Sequence, residues 1–194
     1  MIGELPKSLE VDGVSYPINS DFRAVLLIFE AFGDESLSPL NKRITMLEII
    51  YTPLASEDEP EPEPNIPPNE EEAVRKALWF LDVGIDEKNK KSGDELSRTM
   101  DYAQDEQLIF AAVNPIFAKD IREESYLHWW TFYGLCQAIN PDSLISHIVS
   151  IRSKKAKGKK LEKYEQEFYA ENRHLIDFRT SEDDYEKLVR ELRK

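Results

Sequence analysis

The run from Tyr126 to Cys136, Tyr-Leu-His-Trp-Trp-Thr-Phe-Tyr-Gly-Leu-Cys, constrains this chain more than any other stretch. Wound as a helix it is apolar around nearly its whole circumference, and such a helix has to be buried in something. The sequence therefore predicts a helical domain built around it, with Tyr126, Leu127, His128, Trp129, Phe132 and Tyr133 in the core. Neighbouring tryptophans point about 100° apart on a helix. Trp129 is thus expected inside, and Trp130 becomes the candidate for a partner or subunit surface. With 194 residues the chain can bury a core without disulfide or metal. The single Cys136, in the apolar context Gly-Leu-Cys-Gln-Ala-Ile, reads as a small buried hydrophobe in a reducing compartment.

Other elements follow from local chemistry. Ser8–Val11 and Val14–Ile18 alternate around Asp12-Gly13, a pair suited to the positive φ angles of a type I′ hairpin turn. A lone hairpin is marginal in water, so it is expected on a helix or against another sheet, with Pro17 marking the second strand as an edge. Asn19 or Ser20 is expected to cap a helix with the stripe Phe22, Val25, Leu26, Phe29 and Phe32, ending at Gly33. Ser38-Pro39 opens a second, with Leu40, Ile44, Leu47 and Tyr51 inward. Residues 52–68, rich in alternating Pro and Glu, read as a stiff solvated connector. A central helical core over 69–151 starts at an Asn69/Glu72 capping box with Val74, Ala77, Leu78 and Leu81 inward and a stop at Gly84. After a polar loop over 86–98 it resumes at Asp101, with a break or kink at Asn114-Pro115 and a cap at Asn140-Pro141 before Leu144, Ile145, Ile148 and Ile151. Residues 152–194 read as charged helices sparse in apolar residues: a long one through Leu161, Tyr164, Phe168 and Leu175, then a last one from Thr180 or Ser181 to Lys194. The fold class is mainly α with a small N-terminal β-hairpin, α+β in a strict classification, and overall one globular domain.

Composition narrows the function. A formal charge of -13 repels phosphate backbones, which argues against direct nucleic-acid binding. The basic block Arg152, Lys154, Lys155, Lys157, Lys159, Lys160 and Lys163 is the local exception, and reads as a solvated helix end and linker. The start Met-Ile-Gly-Glu-Leu-Pro-Lys has no signal-peptide pattern, and no apolar stretch approaches the roughly 18 residues a spanning helix needs, so neither secretion nor membrane insertion is expected.

Catalytic chemistry is not evident. His128, His147 and His174 fall on different expected helices with no i, i+4 pair, so no His-x-x-x-His metal motif exists; Glu124 and His128 read as an intrahelical hydrogen bond. Asp101, Asp105 and Glu106 are explained as first-turn helix acids, and Cys136 lacks a basic neighbour to activate it. No phosphate-cradling glycine loop occurs. The expectation is a non-enzyme with no cofactor and no metal.

The hairpin followed by Tyr16-Pro17-Ile18-Asn19-Ser20-Asp21-Phe22-Arg23, then Asp101-Tyr102-Ala103-Gln104-Asp105, Leu127-His128-Trp129-Trp130 and Ile148-Val149-Ser150-Ile151-Arg152 ahead of a basic segment, resembles a known family. It is the tail assembly chaperones of long-tailed, siphovirus-type phages and prophages of Gram-positive bacteria. The resemblance covers residues 5–172 and leaves out the connector and the last helix. It implies a helical, non-virion protein of the host cytoplasm that binds the tape measure protein and keeps it soluble until tail tube protein polymerises around it. It also implies self-association as a homo-oligomer. Val14, Tyr16, Ile18, Trp130, Tyr164 and Phe168 are the candidate partner or self-association surface. The competing readings are a structural tail or connector protein of the virion, and an acidic inhibitor that mimics DNA.

Overall fold

The computed structural model describes residues 3–55, 62–85 and 99–178. Among them the fold is mainly helical with one two-stranded antiparallel hairpin, β1 (Ser8–Val11) and β2 (Val14–Pro17). Asp12 and Gly13 adopt φ of +50° and +77°, as a type I′ turn requires. Leu9 and Val11 of β1 are buried, and β1 packs on helix α3 (Glu70–Leu81). The turn is pinned there too: Glu72 Oε2 accepts the Asp12 N–H at 3.1 Å, and Asn69 Nδ2 donates to the Asp12 carboxylate at 3.0 and 3.1 Å.

The chain divides into two compact units, residues 1–95 with 113–138, and residues 96–112 with 139–194. These cut across the expected segments, because the span 69–151 is shared between the two. The first unit holds the hairpin, α1 (Phe22–Gly33), α2 (Pro39–Ile50), α3 and α5 (Trp129–Gln137). Ser38 caps α2 with Pro39 at its first position, and Asn69 caps α3, both as local chemistry predicts. The cap of α1 is Asp21, neither Asn19 nor Ser20. Phe22, Ala24, Val25 and Ile28 are the buried face of α1, and Met46, Leu47, Ile50 and Tyr51 that of α2, so Leu40 and Ile44 leave the predicted stripe for solvent. In α3 Ala73, Ala77 and Phe80 are fully buried and Leu81 nearly so, while Val74 and Leu78 are only partly buried. The connector is not wholly solvated: the Asn65 N–H donates to the Tyr51 carbonyl at 2.8 Å, and Pro67 is buried. Its centre, residues 56–61, and the polar loop 86–98 lie outside the described residues.

The boundary between the units falls inside α4 (Glu106–Phe117), which starts after Asp101 by more than a turn and continues through Pro115. Asp101 instead caps a separate turn, its Oδ1 accepting the Ala103 and Gln104 N–H groups. In the second unit α6 (Leu144–Ala156) is capped by Ser143, not by Asn140, and Leu144 is exposed while Ile145, Ile148 and Ile151 are buried. The expected long charged helix is two: α7 (Lys163–Glu171), opened by a Glu162/Glu165 capping box, and α8 (Arg173–Ile176). The last expected helix lies outside the described residues.

Candidate functional site

Tyr126–His128 is not helical. It runs extended beside the entry to α1, with a β-bridge between Asp21 and His128. Phe22 N–H donates to the Leu127 carbonyl at 2.9 Å, and Trp129 N–H to the Ser20 carbonyl at 2.8 Å. Asp21 completes the junction: Oδ1 accepts the Arg23 N–H as helix cap, and Oδ2 accepts the Leu127 N–H at 3.0 Å. The Arg23 fork pairs with Asp21 and donates to the carbonyls of Ile121, Arg122 and Glu124, the last at 2.6 Å. The Ser20 and Tyr126 hydroxyls share a 2.8 Å bond. Two of the sequence motifs, residues 16–23 and 127–130, are therefore one structural junction.

His128 caps α5, an unusual residue for that post, so the intrahelical Glu124–His128 bond expected from the sequence does not form. Its Nδ1 accepts the Trp130 N–H at 3.0 Å, while Nε2 lies 2.9 Å from the Pro6 carbonyl. A carbonyl can only accept, so Nε2 carries the proton and the ring is neutral. Burial lowers the His128 pKa, with the Pro6 contact opposing and the nearby Lys7 reinforcing. Because α5 starts at Trp129, its burial is one-sided: Trp129 and Phe132 are buried, Tyr133 and Trp130 partly exposed, Gly134 exposed. Both indoles donate to the end of α3, Trp129 to the Leu81 carbonyl at 3.0 Å and Trp130 to the Phe80 carbonyl at 2.9 Å. Helix ends leave carbonyls without intrahelical partners, and the tryptophans supply them. Trp130 also stacks on Phe80 and meets Trp79 edge-on, and a Cβ at Gly84 (φ +83°) would sit 3.0 Å from its ring. Trp130 is thus anchored in its own unit while remaining partly exposed.

The other two motifs meet in the second unit. Arg152, at the end of Ile148–Arg152, is 3% exposed and grips Asp105 bidentately at 2.5 and 2.9 Å. It also donates to the Leu175, Ile176 and Thr99 carbonyls and lies over the Phe178 ring. Asp105 Oδ2 accepts the Asp101 N–H, and Gln104 Nε2 reaches the Leu175 and Asp177 carbonyls. The basic block is correspondingly not a solvated linker at its start. Lys154 pairs with the buried Glu165, and Lys155 with Asp177. Burial would raise the Asp177 pKa, but hydrogen bonds from Lys155, Arg173 and Tyr169 hold it down at about 2.

The remaining candidates separate. Val14 is 53% exposed and Tyr16 half-buried, edge-on to Tyr51. Ile18 is 2% exposed and leaves the candidate surface. Tyr164, 63% exposed, and Phe168 line a pocket of about 320 Å³ with Pro141, His147, Ile151 and Glu165. Burial pushes the Cys136 thiol up to about 12, which leaves it a poor nucleophile. Sequence reasoning missed Asp21, Arg23 and Arg152 as organisers; the one available signal was that each sits inside a motif.

Among the described residues, no group of three or more His, Cys, Asp or Glu is placed to hold a metal, and no helix is long and apolar enough to cross a membrane. A family model described as "Bacteriophage Gp15 protein" matches residues 1–177, which include all four motifs. No curated protein and no solved structure matches the chain.

Proposed function

The chain belongs to the bacteriophage Gp15 protein family, and from that premise we propose that it is a non-catalytic tail assembly chaperone that binds the phage tape measure protein and keeps it soluble while the tail tube forms. The observation that carries this reading is where the motif residues go. All four motifs are spent closing the fold on itself, two in each unit. What faces water is a strongly acidic surface bearing separate apolar side chains on helices, Leu27, Leu40, Ile44 and Tyr164 among them. Apolar helix faces shield the apolar stripe of a client helix, and net charge keeps the complex dispersed. On this reading the protein acts in the host cytoplasm, self-associates, is released before the virion is complete, and meets tail tube protein only when the tube replaces it on the client.

Co-expression with the tape measure protein, followed by pull-down and sizing, tests the proposal. A soluble complex that elutes together is expected. A client that stays insoluble and unbound overturns it, and so does stoichiometric recovery of this chain from purified virions, which would make it a structural tail protein.

A further inference from the structure

The second unit brings together an apolar cleft and an unpaired patch of charge. Between α6 and α7 lies the pocket of about 320 Å³, within the range of roughly 300–1,000 Å³ usual for ligand sites. Its floor is Ile151, 2% exposed, and its walls carry Tyr164, Phe168 and the His147 ring, 5.8 Å from Phe168. The one carboxylate in the lining is already engaged. Glu165 accepts from Lys154 Nζ at 2.6 Å and from the Glu162 N–H at 2.9 Å, and these bonds hold its carboxyl below the usual range.

The turn joining the two helices carries Lys157, Lys159, Lys160 and Lys163, all exposed and none in an ion pair among the described residues. Its backbone is fixed. Gly158, at φ +62°, lets the Lys159 N–H close on the Lys154 carbonyl at 2.8 Å, and Glu162, the single acid in the turn, serves the α7 capping box. Lys157 suits the negative end of α6, but Lys159, Lys160 and Lys163 gather at the positive end of α7, where cations oppose the helix dipole. Local stability therefore does not account for them, and in a chain of formal charge -13 they are cations held ready for an anion.

We propose that this corner binds an acidic segment of a partner protein: one aromatic side chain of the segment fills the cleft over Ile151, and its flanking carboxylates meet Lys159, Lys160 and Lys163. Tyr164 directly follows Lys163, so anchor and charge are read at adjoining positions. A buried aromatic anchor supplies most of the affinity of such contacts, and complementary charge supplies orientation and on-rate. A nucleic acid fits less well, because its phosphates run on past the turn into the field of an acidic protein. The inference goes beyond the chaperone reading and stands whether or not the tape measure protein supplies the segment.

Fluorescence anisotropy on the full-length protein tests it, with a labelled peptide of one tryptophan flanked on both sides by glutamates as the probe. Saturable binding is expected. It should weaken about tenfold or more with Tyr164→Ser, with the paired reversal Lys160→Glu and Lys163→Glu, or with serine in place of the peptide's tryptophan. The three substituted side chains are exposed, so the melting temperature should not change. The proposal is overturned if the parent chain does not bind the probe, if the serine peptide binds equally well, or if either protein variant binds like the parent. Tighter binding of an oligothymidylate overturns it in favour of phosphate. Self-association of the parent chain that the lysine reversal abolishes overturns it in favour of a second copy.

Discussion

In the first unit the extended segment Tyr126–His128 is held by a helix-capping carboxylate and a neutral imidazole, and the two indole N–H groups that follow it close the end of α3. In the second unit the turn Asp101–Asp105 and the short α8 are held by one buried guanidinium gripping one buried carboxylate. Both solve the same problem, satisfying backbone groups where regular structure stops. The first spreads the task over many bonds, some neutral and some to the partly exposed Arg23–Asp21 pair, each of modest net worth. The second concentrates it in an ion pair, whose burial is costly unless both partners stay. The two units should therefore fail differently.

The largest difference is expected at Arg152. Arg152→Met leaves Asp105 buried without its partner and should cost about 3–5 kcal/mol, confined to the second unit, measured by denaturant titration with unit-resolved hydrogen exchange. Arg152→Lys should recover little of this, because an ammonium lacks the planar fork. If Arg152→Met loosens both units equally, the two units do not fail separately. Asp21→Ala removes the α1 cap and strands the Leu127 N–H, and should cost about 1–3 kcal/mol in the first unit. Gly84→Ala, at positive φ and against the Trp130 ring, should cost about 1–2 kcal/mol and alter tryptophan fluorescence; an unchanged spectrum would show that the indole clamp on α3 is loose.

The smallest effect is the pH dependence, which has the same sign in both units but falls in a different range in each. The His128 pKa is lowered in the folded state, so the unfolded chain binds more protons just below 6.5. That contribution to stability is present above 6.5 and is lost as pH falls from there through the lowered folded value. Asp177 is depressed from 3.8 to about 2, so its contribution survives until the pH drops below 3.8 and is gone below about 2. Mild acid should thus loosen the first unit before the second, seen as exchange at α5 rising ahead of exchange at α8. His128→Asn, which keeps a capping side chain without titrating, should abolish the earlier step.

Features set by neighbouring residues were legible in the sequence: the Asp12-Gly13 turn, Ser38-Pro39 and Asn69/Glu72 each behave as local chemistry dictates. The misreadings share a cause, a partner far away in the chain. The run from Tyr126 looked helical throughout because its first three residues are apolar, yet Asp21 and Ser20, more than a hundred positions earlier, draw them into an extended bridge. Arg152 looked solvated because its sequence neighbours are lysines, whereas its carboxylate partner is 47 residues upstream. The motifs pointed to a bacteriophage protein family even so, and the family match spans all four of them.

The interleaving of the two units along the chain sets a timetable for synthesis. A ribosome makes roughly 5–20 residues per second, and domains tend to fold as they emerge. Here the hairpin and α1 to α3 are made first but lack the strand that bridges Asp21 until residues 126–128 appear, and by then residues 96–112, which belong to the other unit, are already outside. That earlier piece, with Asp105, then waits for Arg152. No single cut in the gene yields one complete unit free of the other's residues, and a nascent chain halted between residues 112 and 138 carries two unfinished halves at once.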